Sequence, residues 1–226
     1  VDSDGNQLPY IYEWLSEMAT SSEILNLKLV AGDSNFQYRY VDPRKLTLFM
    51  LNTIRQGYRV QFVPSTRVDA KVVFNLTHDD DSEIGDLLRT LDFRRAVSAA
   101  IDRDRINTVV FNQLGATGGM APPKLSPYYL GSDYDKKNGE YDTELAKKLL
   151  DGLGLKKDAD GFYMRSDGKG RLQPTLWTYP AGSSPTGASD NATAELVVED
   201  LNDVGLNAIL KLAVWPDPYN LLQMQM

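Results

Sequence analysis

The chain has 226 residues, 42% of them hydrophobic, a formal net charge of −7 and no cysteine. That length suits one large or two small domains with a sizeable core. The acidic balance, with lysine pairs only at 136–137, 147–148 and 156–157, lacks the basic stripe of a nucleic-acid binder. Without cysteine there is no disulfide framework, Cys-ligated metal or thiol chemistry. No apolar run approaches the about 20 residues of a membrane span, and no signal peptide is present. Val1 opens a polar, turn-like run without Met, and Leu221–Met226 is helix-like without a stop signal. Both ends read as cut, so a missing export signal carries no information.

After the turn at Asp4-Gly5-Asn6, the spacing predicts a helix over Glu23–Ala31, stopped at Gly32. Asp42 and Pro43 open a second helical segment through Arg55, ended at Gly57. Tyr58–Val63 and Lys71–Leu76 read as strands joined by a hairpin-type connection over Ser65–Ala70. Asp81 or Ser82 is expected to cap a helix over Glu83–Thr90. Asp92 is then the expected N-cap of a helix that buries Phe93, Ala96, Val97, Ala100 and Ile101 at i, i+3, i+4, i+7, i+8 spacing. Arg94, Arg95 and Ser98 take the other faces. Asp102 stops that helix and caps the next, where Ile106, Val109 and Val110 continue the apolar stripe.

A long loop, Gly115–Gly139, carries Pro122, Pro123 and Pro127; a loop of that length is usually functional or packed on a partner. Asp142 caps a helix over Thr143–Leu153, with Leu145, Ala146, Leu149, Leu150 and Leu153 on one face and Gly154 beyond its end. Asp158–Gly170 reads as a β-hairpin about a type I′ turn at Asp167-Gly168. Leu172–Tyr179 is an expected strand and Pro180–Gly187 a loop. The helix Asn191–Val204 follows, capped by Ser189 or Asp190 and buried through Ala194, Val197, Val198 and Leu201. Gly205 ends it and Leu206–Val214 is the next strand, followed by a turn at Trp215-Pro216 and a last helix. The strand–helix–strand order favours a parallel pair with a right-handed crossover.

No catalytic constellation emerges. His78, the single histidine, adjoins Asp79, Asp80 and Asp81, but adjacent side chains fan outward, so a solvated helix entry is the better reading than a metal site. Asp158-Ala159-Asp160-Gly161 lacks the ligand spacing of a calcium loop, with Lys169 at its twelfth position, and reads as turn chemistry. Gly115–Gly119 fits neither dinucleotide nor P-loop spacing. Gly182-Ser183-Ser184 is not a nucleophile elbow. One histidine also argues against a Ser–His–Asp enzyme. The binding candidates are Trp177 and Tyr179, alternating on one strand, and Ser189, Asp190 and Asn191, whose free N–H groups would face the strand ends. Trp215 closes the next strand at the same edge, where an aromatic ring can stack on a peptide or a sugar. Core or lobe packing is the competing role for Trp177 and Tyr179.

The wording of the run Arg94–Ile101, Asp102, Arg103, Ile106, Asn107, Val110, Leu114, Gly115, Ala121, Pro122 and Pro123 resembles the family 5 extracellular solute-binding proteins. Those are receptors of peptide, nickel and some sugar ABC importers. Val1–Tyr10, Glu23–Asp33, Phe74-Asn75-Leu76, Glu144–Gly168 and Glu195–Leu212 are similar to segments of the same family in the same order, and Trp215 stands where members often place an aromatic. The resemblance implies an α/β fold, a lobe of the periplasmic-binding-protein type II kind with a mixed sheet flanked by helices. It covers less than half of a member, much of the second lobe. Residues 1–80 would form a helix and strand part, and 81–226 the helical hairpin with the strand–helix–strand part.

It further implies a binding protein, not an enzyme, without cofactor or metal. That protein takes peptides, or oligosaccharides, between two lobes and delivers them to an ABC permease. It would work as a monomer outside the cytoplasm, tied to the membrane only through a lipid anchor outside this sequence. The family's Asp that grips a peptide's amino terminus lies in a later segment, so no residue here inherits that role. A secreted carbohydrate-active enzyme domain and a non-catalytic interaction module are the alternatives.

Overall fold

The computed structural model describes residues 1–63, 70–122, 124–180 and 187–213. Most of the expected connection over Ser65–Ala70 and of the loop Pro180–Gly187, the turn at Trp215-Pro216 and the last helix lie outside these residues.

Helix α1 spans Ser22–Ala31. Ser21 caps it by accepting the Ile24 N–H, and Gly32 ends it at φ +81°, a left-handed conformation that suits glycine. Its only buried residue is Asn26, whose amide donates to the Ser22 and Tyr40 carbonyls and accepts the Asp42 N–H. Asp42 opens a 3-10 turn, Pro43–Lys45, and α2 follows over Leu46–Gln56 to a left-handed Gly57. The two segments expected as strands, 58–63 and 71–76, form no ladder. A strand needs a hydrogen-bonding neighbour, and no described residue supplies one. Val72 and Phe74 still pack against the core.

Asp81 caps α3, Ser82–Arg89. Helix α4 spans Leu91–Ala100 with Thr90 at the cap position, so it starts two residues earlier than Asp92 as a cap would require. Asp92 lies in its first turn and pairs with Arg95. The expected buried face is present: Phe93, Ala96, Val97, Ala100 and Ile101 are all buried. Asp102 accepts the Arg105 N–H and caps α5, Arg103–Phe111. Ile106 and Val110 enter the core one turn apart, while Val109 points outward, 57% exposed. Helix α6, Thr143–Gly152, is capped by Asp142 and lies against α4. Ala146 and Leu150 are buried and Leu149 and Leu153 partly so, but Leu145 is exposed, at the edge of the contact stripe.

The hairpin expected over 158–170 is instead a small meander. Lys156–Lys157 (β1) pairs antiparallel with Tyr163–Met164 (β2) around the turn at Asp158–Gly161, and Met164 bridges Arg171. A type I′ turn needs positive φ at both central residues; at Asp167-Gly168 only the glycine has it, so the turn is of another type. Tyr163 is fully buried and donates its hydroxyl to the Asp151 carboxylate (2.8 Å) and the Lys147 carbonyl (3.2 Å) of α6.

Thr175–Thr178 (β3) and Ile209–Leu212 (β4) form a parallel pair, both shorter than the runs that suggested them, joined through α7, Gly187–Asp203. The α/β class holds, with the described strands split between two two-stranded sheets rather than gathered in one mixed sheet. The core gathers α4, α5, α6, α7 and the meander around Phe93, Leu150, Tyr163, Leu172, Val197 and Leu206.

The polar residues of the resembling run work as stitches. Arg94 donates to the Leu88 and Arg89 carbonyls at the end of α3. Arg103 donates to the Ser98 and Ile101 carbonyls and the Ser98 hydroxyl, and Ser98 donates to the Asn138 carbonyl. Asn107 and Gly115 exchange two bonds of 3.0 Å. The loop Gly115–Gly139 is thereby fixed to α4 and α5.

Candidate functional site

The parallel pair places the candidate residues. In β3 and β4 the Cα partners are Thr175 and Ile209, Leu176 and Leu210, Trp177 and Lys211, Thr178 and Leu212. Side chains alternate across a strand. Leu176 packs against the core and Thr178 is buried, so Trp177 takes the opposite face. Parallel neighbours in register share a face, and the Lys211 ammonium accordingly lies 5.5 Å from the Trp177 ring centroid. Ala213 N–H donates to the Thr178 carbonyl at 2.8 Å, carrying the ladder to the strand ends. Tyr179, partly buried, follows β3 directly.

Helix α7 begins at Gly187, four residues before the expected Asn191. Ser189 and Asp190 therefore lie in its first turn rather than preceding it. An acidic residue there complements the positive end of the helix dipole. Asn191 is the fifth helical residue, so its N–H belongs to the i→i−4 ladder and is not free as expected. Its side-chain amide donates to the Glu195 carboxylate at 2.8 Å. Ser189 is buried at 9% exposure. Trp215 lies outside the described residues. The structure thus brings Trp177 and Tyr179 to one strand end and Ser189 and Asn191 to the start of the crossover helix.

Lys211 is the residue that reading the sequence missed. Alternation along Leu206–Val214 could have placed it on the Trp177 face, but only once the parallel register was known.

The other acidic candidates are internally engaged. Asp81 accepts the Glu83 and Ile84 N–H groups and two bonds from Arg165. The Asp158 carboxylate accepts the Asp160 and Phe162 N–H groups, each at 3.0 Å, and Arg171 Nε at 2.6 Å. Asp160 pairs with the same Arg171. These carboxylates serve turns and caps. Asp200 on α7 is 4% exposed; burial pushes its carboxyl above the usual range. Arg105 meets it at 2.6 Å and the Asp102 N–H at 2.9 Å, joining α5 to α7. A surface hollow of about 480 Å³ lies elsewhere, on the loop at Asp133, Tyr134, Lys136, Lys137, Asn138 and Glu140, and includes none of the strand-end residues.

This fold recurs in solved binding proteins. The oligopeptide-binding protein OppA is 26% identical with a TM-score of 0.62, over 86% of this chain and 30% of that one. The periplasmic binding protein MelB of Agrobacterium fabrum, solved with stachyose, is 21% identical with a TM-score of 0.64, over 87% of this chain and 30% of that one. The fold is that of the type II periplasmic binding proteins. The chain belongs to the bacterial extracellular solute-binding proteins, family 5: the sequence profile of that family's middle part matches residues 33–225. A periplasmic alpha-galactoside-binding protein of Rhizobium meliloti is 28% identical over 224 residues, 93% of this chain and 31% of the relative. The chain spans about a third of the length of these relatives. Family and relatives are binding proteins, and the family places the chain outside the cytoplasm.

Proposed function

We propose that this chain forms part of the second lobe of a solute receptor that serves an ABC importer. The receptor takes peptides between two lobes, and hinge closure presents the loaded form to the permease. It is monomeric, lipid-anchored and performs no covalent chemistry. Within the chain, residues 1–80 and 81–226 are the lobe's two parts.

One observation carries the reading at the level of the site. Trp177 and Tyr179 stand at the carboxyl end of a parallel strand whose crossover helix starts beside it, the place where α/β sheets bind ligands. Trp177, Tyr179 and Trp215 would supply ring faces, and Ser189 and Asn191 polar groups from the first turns of α7. Asn191 reaches a ligand by giving up its bond to Glu195. The relative named for alpha-galactosides favours oligosaccharides as the second ligand class, with stacking on the same rings.

The test is a thermal-shift screen of peptides against oligosaccharides. A ligand that binds only the folded state stabilises it by an amount that rises with the logarithm of its concentration over Kd. Stabilisation by a metal or another small solute, with neither class acting, overturns the ligand assignment. A pair of carboxylates that hydrolyses glycosides would replace it with the enzyme reading.

A further inference from the structure

Trp177 and Lys211 are the penultimate residues of β3 and β4 and direct partners across the ladder. Both therefore sit at the carboxyl ends of the strands, on the face away from the buried Thr178. The Lys211 side chain is exposed, and its ammonium lies 5.5 Å from the indole centroid. Among the described residues no carboxylate lies within ion-pair distance of it. The ring is half-buried, but an ammonium that stays in water is held over a ring only weakly. A charge-assisted bond to a carboxylate is stronger and directional. The pair thus offers a ring face and, one strand spacing away, a cation whose present contact is easily exchanged.

We infer that Lys211 and Trp177 form a subsite for a carboxylate flanked by an apolar group, so that the preferred ligand is a peptide bearing an acid at that point rather than a neutral oligosaccharide. This rests on the receptor reading and specifies its ligand chemistry. The carboxylate comes either from a peptide's C-terminus or from an acidic side chain. In both cases it displaces the ammonium from the ring face, and the neighbouring apolar group takes its place over the indole. Replacing Lys211 should therefore remove discrimination between acid and amide, and arginine should preserve it.

The experiment is an NMR titration of the whole chain, which registers millimolar binding, following the Trp177 indole N–H. The probes are trialanine, trialanine amide, Ala-Asp-Ala amide and raffinose. At least tenfold tighter binding of trialanine than of its amide assigns the subsite to a C-terminal carboxylate. The same gain for Ala-Asp-Ala amide over trialanine amide assigns it to an acidic side chain. Lys211→Met should abolish whichever preference appears and Lys211→Arg should keep it. Equal binding of acids and amides, an acid preference that survives Lys211→Met, or tighter binding of raffinose than of any peptide overturns the inference and leaves the receptor reading standing. No perturbation by any of the four probes overturns the receptor reading and the inference with it.

Discussion

Asp81 and Arg165 stand 84 residues apart in sequence and meet through two hydrogen bonds of 2.5 and 3.0 Å. The same carboxylate caps α3. One side chain therefore fixes both the start of a helix and the docking of a distant turn. Glu83 reinforces the contact by accepting the Ser166 N–H at 2.6 Å and the Asp167 N–H at 3.3 Å. Arg165, only 10% exposed, also binds Asp167.

The Arg165 guanidinium holds the carboxyls of Asp81 and Asp167 below their ordinary range. A carboxyl whose folded pKa is depressed contributes stability that is present above its unfolded value, about 4, and is lost as pH falls through the folded value. Arg165→Met should therefore destabilise the chain at pH 7, where both carboxylates are charged and lose their partner. Urea unfolding of wild type and variant should show that difference shrinking as pH falls below about 4. A difference that grows with acid would contradict the assignment.

Asn107 is the clearest stitch between α5 and the loop that follows. Its amide and Gly115 hold each other at 3.0 Å in both directions. Asn107→Ala should lower stability by about 1–2 kcal/mol. Hydrogen exchange should show the Gly115 amide losing protection while the amides of α4 keep theirs.

Leu150 is fully buried in α6, the helix that packs on α4. Leu150→Ala removes apolar contact and leaves a void, which costs about 2–5 kcal/mol. In a chain of this size the melting temperature should drop by about 2–4 °C for each kcal/mol. Leu145→Ala, five residues earlier and exposed, serves as the control and should move it far less, in the same calorimetric scan.

Gly119 meets the chain at backbone distance. A Cβ there would lie 2.3 Å from the Lys137 carbonyl oxygen, a contact that only a backbone shift relieves. Gly119→Ala should cost about 1–3 kcal/mol. Gly152→Ala, where a Cβ meets open space inside α6, should instead be neutral or stabilising, because alanine is the better helix former. Parallel denaturant curves would separate the two.

The helices were legible because their signals are local. Asp42, Asp81, Asp102 and Asp142 each cap the element they precede. The spacing from Phe93 to Ile101 marked a face that is buried. Where the reading went astray, distant partners decide. Segments 58–63 and 71–76 have strand composition but no ladder neighbour among the described residues. The start of α7 moved to Gly187 because several nearby residues can each cap a helix. Val109 and Leu145 fit the helical period but fall at the rim of the stripe that the neighbouring helix covers. At the candidate site, Trp177 and Tyr179 stood out as aromatics near a strand end. Lys211 did not, because its meaning comes from a register across a 17-residue helix.

The loop between α5 and α6 closes on itself mainly through backbone, with the Tyr129 hydroxyl donating to the Asp135 carboxylate at 3.0 Å beside it. Gly119 N–H donates to the Asp135 carbonyl at 2.8 Å, and Gly118, Gly119 and Gly139 let two stretches of main chain touch. The residues between 119 and 135 thus leave and return through one neck whose width is set by peptide geometry rather than by side-chain choice. A side chain added at Gly118, Gly119 or Gly139 would therefore act on the whole span at once, by forcing the two main-chain stretches of the neck apart.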